Sequence, residues 1–194
     1  HWQKLFSAAK PVAVARRAGF PDPAEWEWFA RLSRMLFGDD PAMSQLIDEY
    51  LTLDDLLTVR SRMIGTGTIG GKALGMLLAR AVLRRDEPQL DARVEAHDSF
   101  YIGTDVFDTF LIHNELWWIR RRQRDPATFL DEIDEARRRM LAGVFSPTTL
   151  RQFEGMLDYF GEWPFIVRSS SRLEDRYGNA FAGQYDSVFC ANRG

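Results

Sequence analysis

From residue 1 to about 60 the apolar positions recur at helical spacing, and each periodic segment is bracketed by residues that start or stop helices. Asp22-Pro23-Ala24-Glu25 offers an N-cap, a proline at the first helical position and an acid at N3, and Gly38 closes the segment. Between them Trp26, Phe29, Ala30, Ser33 and Phe37 fall on one side, which predicts an amphipathic helix with an aromatic face. Asp40-Pro41 starts a second helix through about Tyr50, and Thr52 caps a third with Asp54 and Asp55 in its first turn. Aromatic residues at this spacing read as core rather than as a ligand cage. The glycine run GTGTIGG, Gly65 to Gly71, comes next. Leu74, Leu77, Leu78, Ala81 and Val82 follow it on a 3.6-residue period, so the glycine loop opens directly onto a helix with a buried face.

Further on, Phe100-Tyr101-Ile102 reads as a strand, and Gly103-Thr104-Asp105 begins a long helix capped by Thr104. Phe107, Phe110, Leu111, Asn114 and Trp117 or Trp118 give that helix its inward face. Asp125-Pro126 and Ser146-Pro147 start two more helices, closed by Gly143 and Gly161, and Leu150, Phe153, Leu157 and Phe160 line the second. Phe165-Ile166-Val167 and Tyr185 to Cys190 are two strands joined by a long polar loop. A loop of that length is uncommon in a compact domain unless it binds something or moves. The pattern predicts an α/β (α+β), mostly helical chain whose small sheet uses segments near 62 to 69, 94 to 102, 164 to 168 and 185 to 190.

Composition adds exclusions. With 194 residues, 45% apolar and 27% charged, this is the make-up of an ordinary globular protein. A net charge of −3 and a pI near 5.7 argue against a module that gains affinity by neutralising nucleic-acid phosphates. The clusters Arg120-Arg121-Arg122 and Arg137-Arg138-Arg139 lie late in helical segments, where cations complement the dipole. The single cysteine, Cys190, reads as a packed thiol in a reducing compartment, and no run approaches the ~20 apolar residues of a membrane span. The expected place is the cytoplasm, without membrane or nucleic-acid partners.

Two segments carry candidate chemistry. At Gly65 to Lys72 the free N–H groups and positive dipole end of the following helix make an anion site, and Lys72 adds a full charge. Gly65, Gly67 and Gly70 match a dinucleotide fingerprint by spacing, but no acid at a strand end follows about twenty residues on. The P-loop pattern fails at Thr66 and Ala73, which stand where a glycine and a metal-binding hydroxyl belong. The second segment is Arg168 with Ser169 and Ser170 at a strand end, which suits a phosphate through a planar guanidinium fork and short hydroxyl donors. An Arg168 paired with Glu174 or Asp175 in a surface hairpin fits the same residues. His1, His97 and His113 lie at no metal-ligand spacing, so no metal site is expected here.

VRSSSRLED, followed by NAFAGQYDSVF, resembles a signature of the nucleotide-binding domain of phosphoenolpyruvate synthases and pyruvate phosphate dikinases. IGGKALGM at Ile69 to Met76 and FYIGTDVFDTFL at Phe100 to Leu111 match further segments, and the resemblance runs from roughly Arg62 to the C-terminus. It implies the first subdomain of an ATP-grasp-type domain at 61–194 behind a helical extension at 1–60. It implies that Lys72 contacts ATP phosphates beside Gly70 and Gly71, with Arg168, Ser169 and Ser170 opposite. It also implies an ATP-dependent phosphotransferase that phosphorylates a carrier histidine on a separate domain and then a small acceptor such as pyruvate. The magnesium ligands, the phosphohistidine domain and the PEP/pyruvate domain are expected outside these residues. The chain, which lacks an initiator Met, then reads as a fragment that binds ATP weakly and does not turn it over alone. The segment Ser169 to Gly183 would close over the nucleotide as a lid. An alternative of another class is a non-catalytic nucleotide-binding or regulatory module that docks a partner on Trp2, Trp26 and Trp28. A homo-oligomer is compatible with either.

Overall fold

A computed structural model describes residues 2–95, 98–128, 131–170 and 186–193. Two helices of the first half begin at side-chain caps. Asp40 accepts from the Ala42 N–H ahead of Pro41, and Thr52 and Asp55 form a reciprocal capping box. They start α3 (Pro41–Tyr50) and α4 (Leu53–Ser61), which follow α1 (Trp2–Arg17) and α2 (Glu25–Phe37). Before α2, Asp22 folds its own turn by taking the Ala24 N–H at 2.8 Å, so the helix begins at Glu25; Gly38, at φ 75°, ends it.

The buried stripe of α2 is Phe29, Leu32, Ser33, Leu36 and Phe37. Trp26, expected on that stripe, is 58% exposed: it sits in the first turn of α2, where it stacks on Phe29 rather than entering the core. Trp2 and Trp28 are partly buried against the core.

One hydrophobic cluster runs from α1 through α4 into α5 (Gly71–Asp86) by way of Leu74, Leu78 and Ala81, and takes in Met63, Ile69 and Tyr101. Leu32, Leu36 and Leu56 in it are fully buried, each worth roughly 1.5–3 kcal/mol of transfer free energy. On the rim, Arg84 bridges the Asp55 carboxylate with two N–H donors at 3.1 and 2.9 Å, and Arg85 stacks over Tyr50 while reaching Glu49. A single-turn α6 (Pro88–Asp91) follows α5.

Four short strands stand near the predicted segments, but among the described residues they form two sheets rather than one. β1 (Met63–Ile64) pairs in parallel with β2 (Tyr101–Ile102), and β3 (Phe165–Arg168) pairs antiparallel with β4 (Ser187–Cys190), Arg168 opposite Ser187. β1 and β2 are cut to two residues each because glycines, Gly65 and Gly103, follow both. Burial pushes the Tyr101 hydroxyl above its ordinary pKa of 10.0, with the Arg62 guanidinium pulling slightly the other way.

The long helix expected after Gly103 is broken into α7 (Thr104–His113) and α8 (Trp117–Arg122). Asn114 causes the break: its amide group donates to the Phe110 and Val144 carbonyls and its oxygen accepts the Val144 N–H, while Glu115 turns to φ 57°. Phe107, expected on the inward face, is exposed, and Val106, Phe110 and Leu111 form the buried face. Asp125-Pro126 makes a turn rather than a helix start, and α9 (Ile133–Leu141) begins later. α10 (Pro147–Phe160) starts at Ser146 as predicted, but Leu150 and Leu157 on it are exposed, and its aromatic contacts run through Phe153 and Phe160.

Candidate functional site

The loop Gly65–Gly71 is shaped before anything binds to it. Ile69 is buried, and its N–H donates to the Leu36 carbonyl at 2.8 Å, which satisfies an acceptor left over at the end of α2. Gly65 and Gly67 adopt φ of 73° and 86°, a region that costs other residues strain. Their lack of a side chain also matters for packing: a Cβ at Gly67 would overlap the Thr104 hydroxyl, and one at Gly65 would overlap Val106 and Asp105.

α7 faces this loop with its N-terminus. The Gly103, Thr104 and Asp105 N–H groups donate to the Ile64, Thr68 and Thr66 carbonyls. Side chains reply in the other sense. Asp105 Oδ1 accepts the Thr66 N–H at 2.6 Å and Oδ2 the Thr66 hydroxyl at 2.7 Å, while Thr104 Oγ1 accepts the Thr68 N–H at 3.1 Å. Thr104 is therefore not a cap. Gly103 holds the N-cap position with no side-chain bond, and the Thr104 hydroxyl serves the loop instead. From α10, Gln152 Oε1 accepts the Gly65 N–H at 2.8 Å.

The free end of α5 meets the second predicted segment. Gly70, buried, is the N-cap of α5 without a side-chain bond; Gly71 opens the helix and Lys72 follows, partly buried. The missing cap comes from 97 residues away, where Ser170 Oγ accepts the Ala73 N–H at 3.1 Å. The Ser170 carbonyl lies so close to Gly70 that an added Cβ would overlap it. Ser169 and exposed Arg168, the last residue of β3, lead into Ser170. Two residues span at most about 7 Å, so the Arg168 and Ser170 Cα atoms lie within that distance of each other. Gly70, Gly71, Lys72, Ser169 and Ser170 are thus gathered at one helix end with Arg168 at its edge.

Not every residue weighed from the sequence is among the described ones. Glu174, Asp175 and most of the Ser169 to Gly183 segment lie outside the described residues, as do His1 and His97. His113 is exposed at the C-terminus of α7. Among the described residues no group of three or more His, Cys, Asp or Glu is placed to hold a metal ion, and no helix is long and apolar enough to cross a membrane. Sequence reading missed Asp105 and Gln152. Asp105 looked like an ordinary first-turn acid, and nothing local marks Gln152, because the partners of both lie far upstream.

The chain matches no curated protein sequence and no solved structure. A family model described as the AMP/ATP-binding domain of pyruvate phosphate dikinase matches residues 66–194, which takes in the glycine loop, α5, α7 and both strands of the β3–β4 hairpin. The chain belongs to the family of pyruvate phosphate dikinase AMP/ATP-binding domains.

Proposed function

We propose that the N-terminus of α5 receives the phosphates of ATP between Gly70, Gly71 and Lys72 on one side and Arg168, Ser169 and Ser170 on the other. The observation that carries this reading is the Ser170 hydroxyl on the Ala73 N–H, which brings two segments with phosphate-binding chemistry to one helix end. The N–H groups and dipole of that end favour an anion, and Lys72 adds a charge beside them. Arg168 supplies two parallel N–H donors of the kind that match a phosphate. A phosphate oxygen that takes the Ala73 N–H frees the Ser170 hydroxyl to turn and donate to the same phosphate. Phosphoryl transfer depends mainly on such positioning and charge neutralisation. ATP fits the donors present. Among the described residues no group of three or more His, Cys, Asp or Glu is placed to hold magnesium, and no step is assigned to it here.

On this reading residues 61–194 are one side of an ATP-grasp-type site in the cytoplasm, and residues 1–60 are a helical extension bound to it through α5. ATP phosphorylates a carrier histidine on a separate domain, and the phosphate passes to a small acceptor such as pyruvate. This chain alone holds ATP weakly and does not release AMP from it. Amide NMR during ATP titration is the test, since it reads weak binding directly. Lys72→Ala and Arg168→Ala should each weaken ATP binding about tenfold, the loss expected for a charge-assisted contact of about 1.4 kcal/mol. Unchanged affinity in both variants would remove the site.

A further inference from the structure

We infer that Asp105 is a positioning residue that holds the glycine loop in its nucleotide-receiving shape, assisted by Thr104 and Gln152. This rests on the ATP reading above and extends it to residues that would not touch ATP. The loop between β1 and α5 includes six residues, 65 to 70, that belong to no helix or strand. Left to itself such a segment samples many shapes, the more so with three glycines in GTGTIGG before α5 begins. Three side chains from outside the loop restrain it at three of these residues: Gln152 on the Gly65 N–H, Asp105 on the Thr66 N–H and hydroxyl, and Thr104 on the Thr68 N–H.

Asp105 makes the largest share of these bonds. Its carboxylate takes two donors from one residue at 2.6 and 2.7 Å, both charge-assisted and partly buried. The Asp105 N–H also donates to the Thr66 carbonyl, so Thr66 is gripped at its amide, its carbonyl and its side chain by one residue of α7. Glycines 65 and 67 let the backbone approach that closely. Two residues beyond Thr68 lies Gly70, the N-cap of α5, so the direction of the N–H groups there follows from where the loop is held. Without the carboxylate the receiving shape becomes one of several. If it is occupied about a tenth of the time, apparent ATP affinity falls about tenfold with no contact to ATP removed.

The test is ATP titration of the 194-residue chain followed by amide NMR, comparing wild type, Asp105→Ala, Asp105→Asn, Thr66→Val and Lys72→Ala. Asp105→Ala should weaken ATP binding about tenfold and speed hydrogen exchange at the Thr66 amide, leaving exchange of the α2 and α4 core amides unchanged. Asp105→Asn retains an acceptor for the Thr66 N–H, and its amide group can donate to the Thr66 oxygen, so it should recover most of the affinity. A purely structural role would instead speed exchange throughout the chain. If Asp105→Ala does not fold, Thr66→Val decides, since it removes only the hydroxyl bond and should weaken binding several-fold. Wild-type affinity in Asp105→Ala, or in Thr66→Val in its place, overturns the inference even when Lys72→Ala is weakened. Full affinity in Lys72→Ala removes the ATP reading and this inference with it.

Discussion

Gly103 and Gly70 sit where two backbones nearly touch, and a methyl group at either has nowhere to go. At Gly103 an added Cβ would overlap the Thr66 carbonyl, which itself accepts from Asp105 N–H, so Gly103→Ala should cost about 1–3 kcal/mol in urea unfolding. At Gly70 the obstacle is the Ser170 carbonyl. Gly70→Ala should therefore displace Ser170 from Ala73, seen as faster exchange of the Ala73 amide. Tyr101 gives a pH signature of its own. Its hydroxyl ionises later in the folded chain than in the unfolded one, so the unfolded state loses its proton first as pH rises past 10.0 and stability falls from there upward. Tyr101→Phe should flatten that alkaline decline in denaturation curves, and an unchanged slope would assign it to other groups. At this scale the sequence was a partial guide. The hydroxyl of Thr104 at a helix start looked like a cap because capping is a local habit of such residues, but its donor is Thr68, 36 residues upstream.

Helix starts fixed by neighbouring residues were legible, and helix ends fixed by distant ones were not. Asp40, Thr52 and Ser146 cap α3, α4 and α10 as their spacing predicts, since each bond closes within three residues. The break between α7 and α8 depends on Asn114 holding Val144, a contact 30 residues long that no periodicity carries. The same contrast governs energies. Leu56→Ala in the buried centre of α4 should cost about 2–5 kcal/mol and lower the melting temperature by many degrees. Leu157→Ala on α10, where the side chain is 38% exposed, should cost less than half as much in the same denaturation experiment. A larger effect at Leu157 would mean that α10 is more tightly covered than its exposure states.

For the molecule as a whole, the helical front and the glycine loop share one body. The core residues of α5 lie against α1 to α4, and the loop hangs from the Leu36 carbonyl by Ile69. Saturating ATP should then raise the melting temperature of the helices themselves, by an amount that grows with the logarithm of its concentration above Kd. The β3–β4 hairpin, by contrast, is bare on both faces: Ile166 and Phe189 on one and Val167 and Val188 on the other are all exposed, Phe189 by 83%. Sequence reading placed both strands, because an apolar run marks a strand wherever it lies, but it could not say that among the described residues they would pair with each other alone. The Ile69 link has a practical side for anyone recloning the gene. A shortened product that starts at residue 66, where the family match begins, would lose the Leu36 carbonyl and leave Leu74, Leu78 and Ala81 as a greasy stripe in water. Such a product should collect in the insoluble fraction on expression, so the cut belongs ahead of Trp2 rather than at the edge of the match.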